Sequence, residues 1–305
     1  MATTTIQTQA GKQEQEELGG FRFQLRSFAR FLKVLLRSTK AKIGFGLIGG
    51  FVVLAIFAPY IAPYSPVPGV QFGPLYAQPS SQHLLGTDFQ GVDVLSEVIW
   101  GARVSLIIGL AAAAFATGIG SVVGITAGYR GGWIDEVLMR ASDISLAIPS
   151  LALMILFVVY LTPSLGSILF AISITTWPPI ARSVRSQVLS LRERPFVDAA
   201  RMTGMGGGKI MASVILPNVI ALIVANGILQ VTSSIVAEAA LDFIGIGVPS
   251  LVSWGTMLYW AQQYAFLHGA WWWIAAPGVC IALLGLGFVM VGFSIEEIAN
   301  PRIRA

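Results

Sequence analysis

Charge is scarce in this chain. Asp, Glu, Lys and Arg together make 11% of its 305 residues, against about 25% in soluble globular domains. So little charge cannot cover a water-soluble protein, and the mean hydropathy of +0.75 agrees; the chain is expected to be a polytopic membrane protein. Cysteine is nearly absent. Cys280 is the single one, which excludes an intrachain disulfide and says nothing about compartment. The two histidines, His83 and His268, fall in different polar connections, and a lone loop histidine is read as a hydrogen-bonding or capping residue. No serine has a base at readable spacing, so no catalytic residue and no metal site is expected. The net charge of +4 sits beside apolar runs, the pattern of membrane topology rather than of nucleic-acid binding.

Six apolar runs approach the ~20 residues that cross a bilayer: residues 43–61, 104–127, 146–161, 165–180, 217–237 and 272–293. The first follows a polar, basic lead too long for a cleaved signal peptide, so it is expected to be an uncleaved span. Gly120 and Gly124 have the spacing of close helix approach. The short turn Thr162-Pro163-Ser164 predicts that the third and fourth runs form an antiparallel hairpin, with the fourth ending at Trp177-Pro178-Pro179. Of the 19 Lys and Arg, 18 lie before the first run, after the second and fourth, or in the tail, and only Arg103 lies on the other side. The positive-inside rule then places both termini in the cytoplasm of a cell-membrane protein. This divides the chain into a cytoplasmic tail at 1–42 and a membrane domain at 43–305. Within that domain fall an external loop at 64–102 and a cytoplasmic loop at 181–217. Residues 1–20 have a composition that favours disorder. Residues 21–37 read as a basic amphipathic helix, with Arg22, Arg26, Arg30, Lys33 and Arg37 on one side. Phe21, Leu25, Phe28, Phe31, Leu32 and Leu35 lie on the other, facing either the anionic inner leaflet or the protein's own flank.

The longest polar interruption in the C-terminal half runs over residues 192–218 and carries Arg192, Arg194, Arg201 and Lys209. Pro195 suits the first turn of a helix, Asp198 is favoured there by the helix dipole, and Gly204 suits a left-handed helix end. Residues 209–215 predict a second short helix before Pro217 opens the next apolar run. The expected product is a basic helix–turn–helix knob beside the membrane. Its GMGGGK is not a nucleotide-binding loop. That pattern needs a glycine at position 203 and Ser or Thr at 210, where the chain has Thr203 and Ile210.

Asp198-Ala199-Ala200, Gly204, Val214 and Leu216-Pro217 stand at the spacings of the cytoplasmic EAA loop of ABC-importer permeases, which this segment resembles, with Asp for Glu and Val for Ile. Upstream, His83, Leu85-Gly86-Thr87-Asp88, Gly91, Asp93-Val94-Leu95-Ser96 and Gly101 to Leu106 resemble the segment before the second span in the dipeptide/oligopeptide branch. Leu84 and Val92 depart from it. Glu238, Ala240-Leu241, Phe243, Gly245, Gly247 and Ser253-Trp254-Gly255 resemble the segment after the branch's fifth span, and Asn300-Pro301-Arg302 its usual Asp-Pro-Arg; residues 291–297 depart. The resemblance covers residues 43–302 and is closest to the second permease of such systems. It implies an all-α, six-span type I importer permease that is not itself an enzyme. Its partners would be a homologous permease, two cytoplasmic ATPase subunits that hold the ATP and Mg, and an extracytoplasmic substrate-binding protein. Peptides, oligosaccharides or nickel are the branch's substrates. It also implies that Asp198, Ala199, Ala200, Arg201, Gly204, Lys209, Leu216 and Pro217 form the coupling surface. A stand-alone channel is the alternative class, and has no use for such a knob.

The external segment also offers a gate or packing set. Gly86 turns the chain, and Thr87 or Asp88 can cap a short helix. Asp88, Asp93 and Glu97 are read as caps and solvated charge rather than as a cation site. Arg103 and Glu238 lie at the outer membrane boundary, where an isolated charge is costly; they are expected to approach each other or to snorkel to headgroups. Asp135, Glu136 and Asp143 are expected to form local ion pairs with Arg130 and Arg140. Trp260, Trp271, Trp272 and Trp273 are expected to form an interfacial belt.

Overall fold

A computed structural model describes residues 35–65, 73–248 and 250–299. Among them the chain is all-helical, apart from one isolated antiparallel bridge between Thr87 and Asp93. The segment before residue 35, which holds most of the amphipathic pattern, and Asn300-Pro301-Arg302 lie outside the described residues.

Helix α1 (Thr39–Ile56) is capped by Ser38 and followed by a single turn, α2 (Ala58–Ile61). Helix α3 (Val94–Arg130) has 37 residues, about 55 Å at 1.5 Å per residue. It starts ten residues ahead of the apolar run because Asp93 caps it, accepting from the Ser96 N–H at 2.9 Å and the Ser96 hydroxyl at 2.8 Å. The expected short helix and separate span are therefore one rod. Helices α4 (Gly132–Ala147) and α5 (Ser150–Tyr160) meet at a 90° break. Pro149 disfavours helical geometry in the residue before it, and Ile148 is accordingly extended with ψ 131°. The third apolar run is thus an 11-residue helix hinged on a more polar one.

Helix α6 (Leu165–Arg192) starts at a reciprocal Ser164–Ser167 capping box and continues through Pro178 and Pro179. The prolines do not end it, contrary to expectation, and the Thr175 and Thr176 hydroxyls brace the turn before them by donating to the Ala171 and Ile172 carbonyls. The predicted α5–α6 hairpin is present, with Met154 and Val158 buried against Ile168, Ala171 and Ile172. Then come α7 (Pro195–Met202), α8 (Gly207–Ile210), a π-helical turn at Met211–Ile215, and α9 (Leu216–Phe243). Helix α10 (Trp254–His268) occupies what reads in sequence as an external loop; a Ser253–Thr256 capping box starts it and Gly269 ends it. Helix α11 (Trp271–Ala299) closes the described chain.

Among the described residues four stretches are long and apolar enough to cross a membrane: Thr39–Ile56, Val94–Arg130, Gly207–Phe243 and Trp271–Ile298. The bent α4–α5 pair makes a fifth. Helix α6 has the length, 28 residues, but Pro178, Pro179 and Arg182 dilute its apolar character.

The rod α3 packs along α6 through a glycine seam. A Cβ built at Gly120 would lie 2.8 Å from the Trp177 carbonyl, at Gly124 2.6 Å from the Ala181 carbonyl, and at Gly128 2.8 Å from Val188 Cβ. Only glycine lets two helix backbones come this close, so the predicted pair is extended by Gly128. Further along α3, Gly109 takes Ile235 of α9 and Gly101 takes Trp254 of α10. One helix thus joins a basic end, carrying α7 and α8, to an opposite end rich in carboxyls and aromatic rings.

Candidate functional site

At the basic end, α7 is held from below. Val197 is fully buried with Val184, Val188, Ile210, Ile215 and Val219, so both short helices rest on the ends of α6 and α9. The α7 end is a Schellman turn: Gly204 N–H donates to Arg201 O at 3.0 Å and Met205 N–H to Ala200 O at 3.3 Å. Gly204 has φ +77° with no atom within 4 Å of a built Cβ, so backbone conformation, not space, calls for glycine.

Asp198 does not cap the helix; that position is Arg194, which makes no side-chain cap bond. Asp198 instead accepts from Arg201 Nη1 at 2.9 Å, and the Arg201 guanidinium lies 5.6 Å from the centre of the Tyr129 ring at the end of α3. This cation–π contact ties the knob to the rod. The outward face carries Phe196, Ala199, Met202 and Thr203, with Phe196 45% and Met202 83% exposed. Ala200 and Leu216 are half-buried, while Lys209 and Pro217 are exposed. Around the knob, Arg185 grips Asp135 through two bonds of 2.5 and 2.6 Å, Arg182 pairs with Asp143, and Arg140 with Glu136 at 3.1 Å. The expected ion pairs form, but two of the three cations come from α6, and Arg130 makes no ion pair among the described residues.

At the opposite end, the loop before α3 is folded by its own polar groups. Gly86 takes φ +70°, with a built Cβ 2.4 Å from the Ala77 carbonyl. Thr87 accepts from Ala77 N–H at 2.7 Å and donates to Pro74 O at 2.6 Å. Asp88 accepts from the N–H groups of Gln90 at 2.8 Å and Val92 at 2.7 Å. His83 Nδ1 meets Asp93 Oδ1 at 3.0 Å in a buried contact, as the hydrogen-bonding reading of His83 anticipates. Asp93 caps α3, but Thr87 and Asp88 shape the loop and cap no helix. Nor is the charge solvated: Asp88 is 2% and Asp93 1% exposed. Burial pushes the Asp88 carboxyl up to about 6, against the pull of its backbone N–H bonds.

The expected Arg103–Glu238 pair is not formed. Glu238 is fully buried and accepts from the Ser105 hydroxyl at 3.2 Å, beside Asp242, while Arg103 is exposed. Residues two apart on a helix face away from each other, so turning Ser105 toward Glu238 turns Arg103 out. The tryptophan belt is also corrected. Trp272 and Trp273 are buried, with Trp273 and Trp260 stacked on Phe89, and only Trp271 stands well out at 68% exposure. Trp254 donates its indole N–H to Val98 O at 2.9 Å, clamping α10 to α3.

Four contributors are given no role in the sequence reading: Tyr129 and Asp242, and Ser105 and Ser253, which stand there only as matched positions. Asp242 carries a usable signal, since it follows Glu238 by four residues and so shares its helix face. Tyr129 carries none, because its partner lies across the fold.

A family profile described as "Binding-protein-dependent transport system inner membrane component" matches residues 120–305. Another, described as the N-terminal TM domain of oligopeptide transport permease C, matches residues 27–85. A dipeptide transport system permease protein DppC from Alkalihalophilus pseudofirmus is 38% identical over 274 residues, covering 90% of this chain and 89% of the relative. The oligopeptide transport system permease protein OppC of Bacillus subtilis is 36% identical, covering 88% of each. Among solved structures, a chain of the inward-facing MetNI methionine ABC transporter superposes with a TM-score of 0.53 at 17% identity. That match covers 67% of this chain and 94% of the other, and it shows the same fold. The chain belongs to the family of binding-protein-dependent transport system inner membrane components.

Proposed function

We propose that the chain is the transmembrane subunit of an ATP-driven importer, forming half of a translocation pathway for peptides. The observation that carries this reading is the knob: α7 is fixed to α6, α9 and Tyr129 from below and offers Phe196, Ala199 and Met202 outward. An amphipathic helix with an open apolar face is what a groove on a partner accepts, and a helix that cannot shear passes rigid-body motion to the rods beneath. The occupant of that face is one of two cytoplasmic ATPase subunits, which hold the ATP and Mg; this chain binds no cofactor and hydrolyses nothing. Relatives named for dipeptide and oligopeptide transport support peptides over oligosaccharides or nickel. A homologous permease and an extracytoplasmic binding protein complete the assembly. The Lys and Arg distribution supports six crossings of the cell membrane, α6 being the sixth, with the knob and both termini in the cytoplasm.

The test is a mild-detergent purification of the tagged chain from its native host, followed by peptide uptake in reconstituted vesicles. Two ATPase polypeptides, a second permease and a binding protein are expected to copurify. Gly204→Val and Asp198→Lys are expected to insert normally and lose uptake. A solitary chain that conducts solute without ATP, or wild-type uptake by both variants, would overturn the reading.

A further inference from the structure

Glu238 and Asp242 lie one turn apart near the end of α9, 0% and 4% exposed. Each carboxyl has one oxygen engaged: Glu238 Oε2 accepts from the Ser105 hydroxyl, and Asp242 Oδ2 from the Ser253 hydroxyl. The other oxygens, Glu238 Oε1 and Asp242 Oδ1, are buried and accept from no N–H or O–H donor among the described residues, and the two carboxyls lie within hydrogen-bonding reach of each other. Neither carboxyl forms an ion pair with a Lys or Arg among the described residues. Buried polar atoms are normally partnered, and two adjacent carboxyls repel unless they share a proton or a positive group stands beside them.

Space for such a group lies alongside. An open cavity of ≈ 200 Å³ is lined by Asp242, Gly245, Gly247, Thr256, Tyr259 and Trp260. Asp242 Oδ1 faces Gly247, where a built Cβ would lie 2.2 Å away; at Gly245, with φ +89°, a Cβ would lie 2.7 Å from the Tyr259 ring. Side chains at either glycine would fill the space between carboxyl and ring. Tyr259 and Trp260 meet edge to face at 4.9 Å between centroids, giving the cavity an aromatic wall. Trp260 and Thr256 also line a second, smaller cavity of ≈ 50 Å³ together with Asp88 and Glu97 among others. Glu97 Oε2 is likewise buried and unpartnered.

We infer that the cavity between the end of α9 and α10 is a binding site for a primary ammonium group. A carboxylate with aromatic faces suits an organic cation, attracted by charge and by the ring quadrupoles. A hard divalent ion wants six or more oxygen ligands, and no group of three His, Cys, Asp or Glu suited to a metal occurs among the described residues. The ammonium can arrive on a soluble amine, such as the N-terminus of a peptide, or on an aminolipid headgroup. The site stands on these residues whether or not ATPase subunits drive the chain.

The experiment uses the full chain, with whatever subunits copurify, in lipid nanodiscs. Alanyl-alanine and N-acetyl-alanyl-alanine are titrated against it by calorimetry, in discs of phosphatidylglycerol alone and in discs that also contain phosphatidylethanolamine. A soluble-amine site binds the free dipeptide at least about tenfold more tightly than the acetylated one, and equally in both kinds of disc. A lipid site shows that preference only without phosphatidylethanolamine, and retains that lipid in native mass spectrometry. In either case Asp242→Asn, which keeps shape and the Ser253 bond, abolishes the preference. Tyr259→Leu weakens it about threefold to thirtyfold and decides the matter if Asp242→Asn does not fold. Equal affinity for both dipeptides without retained phosphatidylethanolamine, or a preference unchanged in both variants, overturns the inference. Copurification of ATPases from the same preparation reports separately on the importer reading.

Discussion

The basic end of the bundle hides aliphatic side chains and shows its charges. Val197, Ile210 and Ile215 are buried under α7 and α8, while Asp198, Arg201 and Lys209 stand at the surface. The opposite end encloses its charges instead: Asp88, Asp93, Glu238 and Asp242 are buried, and Phe89 stacks on Tyr264 and Trp273. A surface of exposed, locally paired charge over a dry aliphatic base is cheap to build and presents a fixed shape to a partner. Enclosed carboxyls are expensive, and each needs a specific hydroxyl, N–H or cation. The difference teaches where to look for each kind of function: docking at the basic end, small-group chemistry at the acidic one. Between them runs α3, bonded to α6 by glycine contacts and to α10 by Trp254.

The strongest way to break this arrangement is to part the two ends from their shared rod. Gly124→Leu sets a side chain against the Ala181 carbonyl and Val184, and backbone cannot step aside as a flexible side chain can. Overpacking of this kind costs about 3 kcal/mol or more. The expected outcome is loss of monodisperse protein in detergent, read by size-exclusion chromatography, whereas Gly118→Leu, whose built Cβ meets nothing, should purify normally.

The acidic end is tested through Asp88. Its folded-state carboxyl lies at about 6 against an ordinary 3.8, so between those pH values the folded state holds more protons than the unfolded one. Stability therefore falls as pH rises through that window and stays lower above it. The full shift corresponds to ~3 kcal/mol. Asp88→Asn, which keeps an acceptor for the Gln90 and Val92 N–H groups, should match wild type near pH 4 and melt higher at pH 7.5. Identical melting curves at both pH values would mean that the carboxyl is not confined as described.

The basic end should answer in function and not in stability. Phe196→Asp with Met202→Asp alters only exposed surface, so melting should stay within about 2 °C. If these side chains anchor a partner, binding of the copurifying ATPase should weaken by ~2 kcal/mol, about thirtyfold. Undiminished association, measured by surface plasmon resonance, would move the docking surface elsewhere.

How far the sequence revealed these two ends follows from the range of the forces involved. The knob is built by local rules, a proline at N1, a glycine at φ +77° and aliphatic residues at helical spacing, and its helix–turn–helix form is legible. So are the Gly86 turn, the Asp93 cap and the α5–α6 hairpin. Helix α10 was hidden because its 15 residues mix apolar and polar side chains inside a Pro/Gly-flanked connection, although Ser253 and Thr256 write a capping box at its start. The continuity of α6 through Pro178-Pro179 and the burial of Trp272 and Trp273 depend on neighbours distant in the chain, which no local pattern encodes. The same holds for Tyr129 under Arg201.

The smallest expected effect is the most discriminating test of the corrected acidic end. Arg103 and Glu238 are the two ionisable residues that membrane depth alone would pair, and helix geometry separates them: Ser105 occupies the face of α3 that meets α9. If Arg103 contributes only an exposed charge, Arg103→Ala changes stability by less than ~0.5 kcal/mol, and Glu238→Gln behaves the same whether Arg103 is present or not. If the two were coupled, removing Arg103 would strand a buried carboxylate, and the double-mutant cycle would return an interaction of about 0.5–3 kcal/mol. Ser105→Ala separates the cases further, because it removes the hydrogen bond that Glu238 accepts from Ser105 and should cost about 1 kcal/mol in wild type but much less in a Glu238→Leu background. A cycle that couples Glu238 to Ser105 and not to Arg103 places the Glu238 carboxyl inside the protein, held between α3 and Asp242, and leaves Arg103 to the solvent or headgroups.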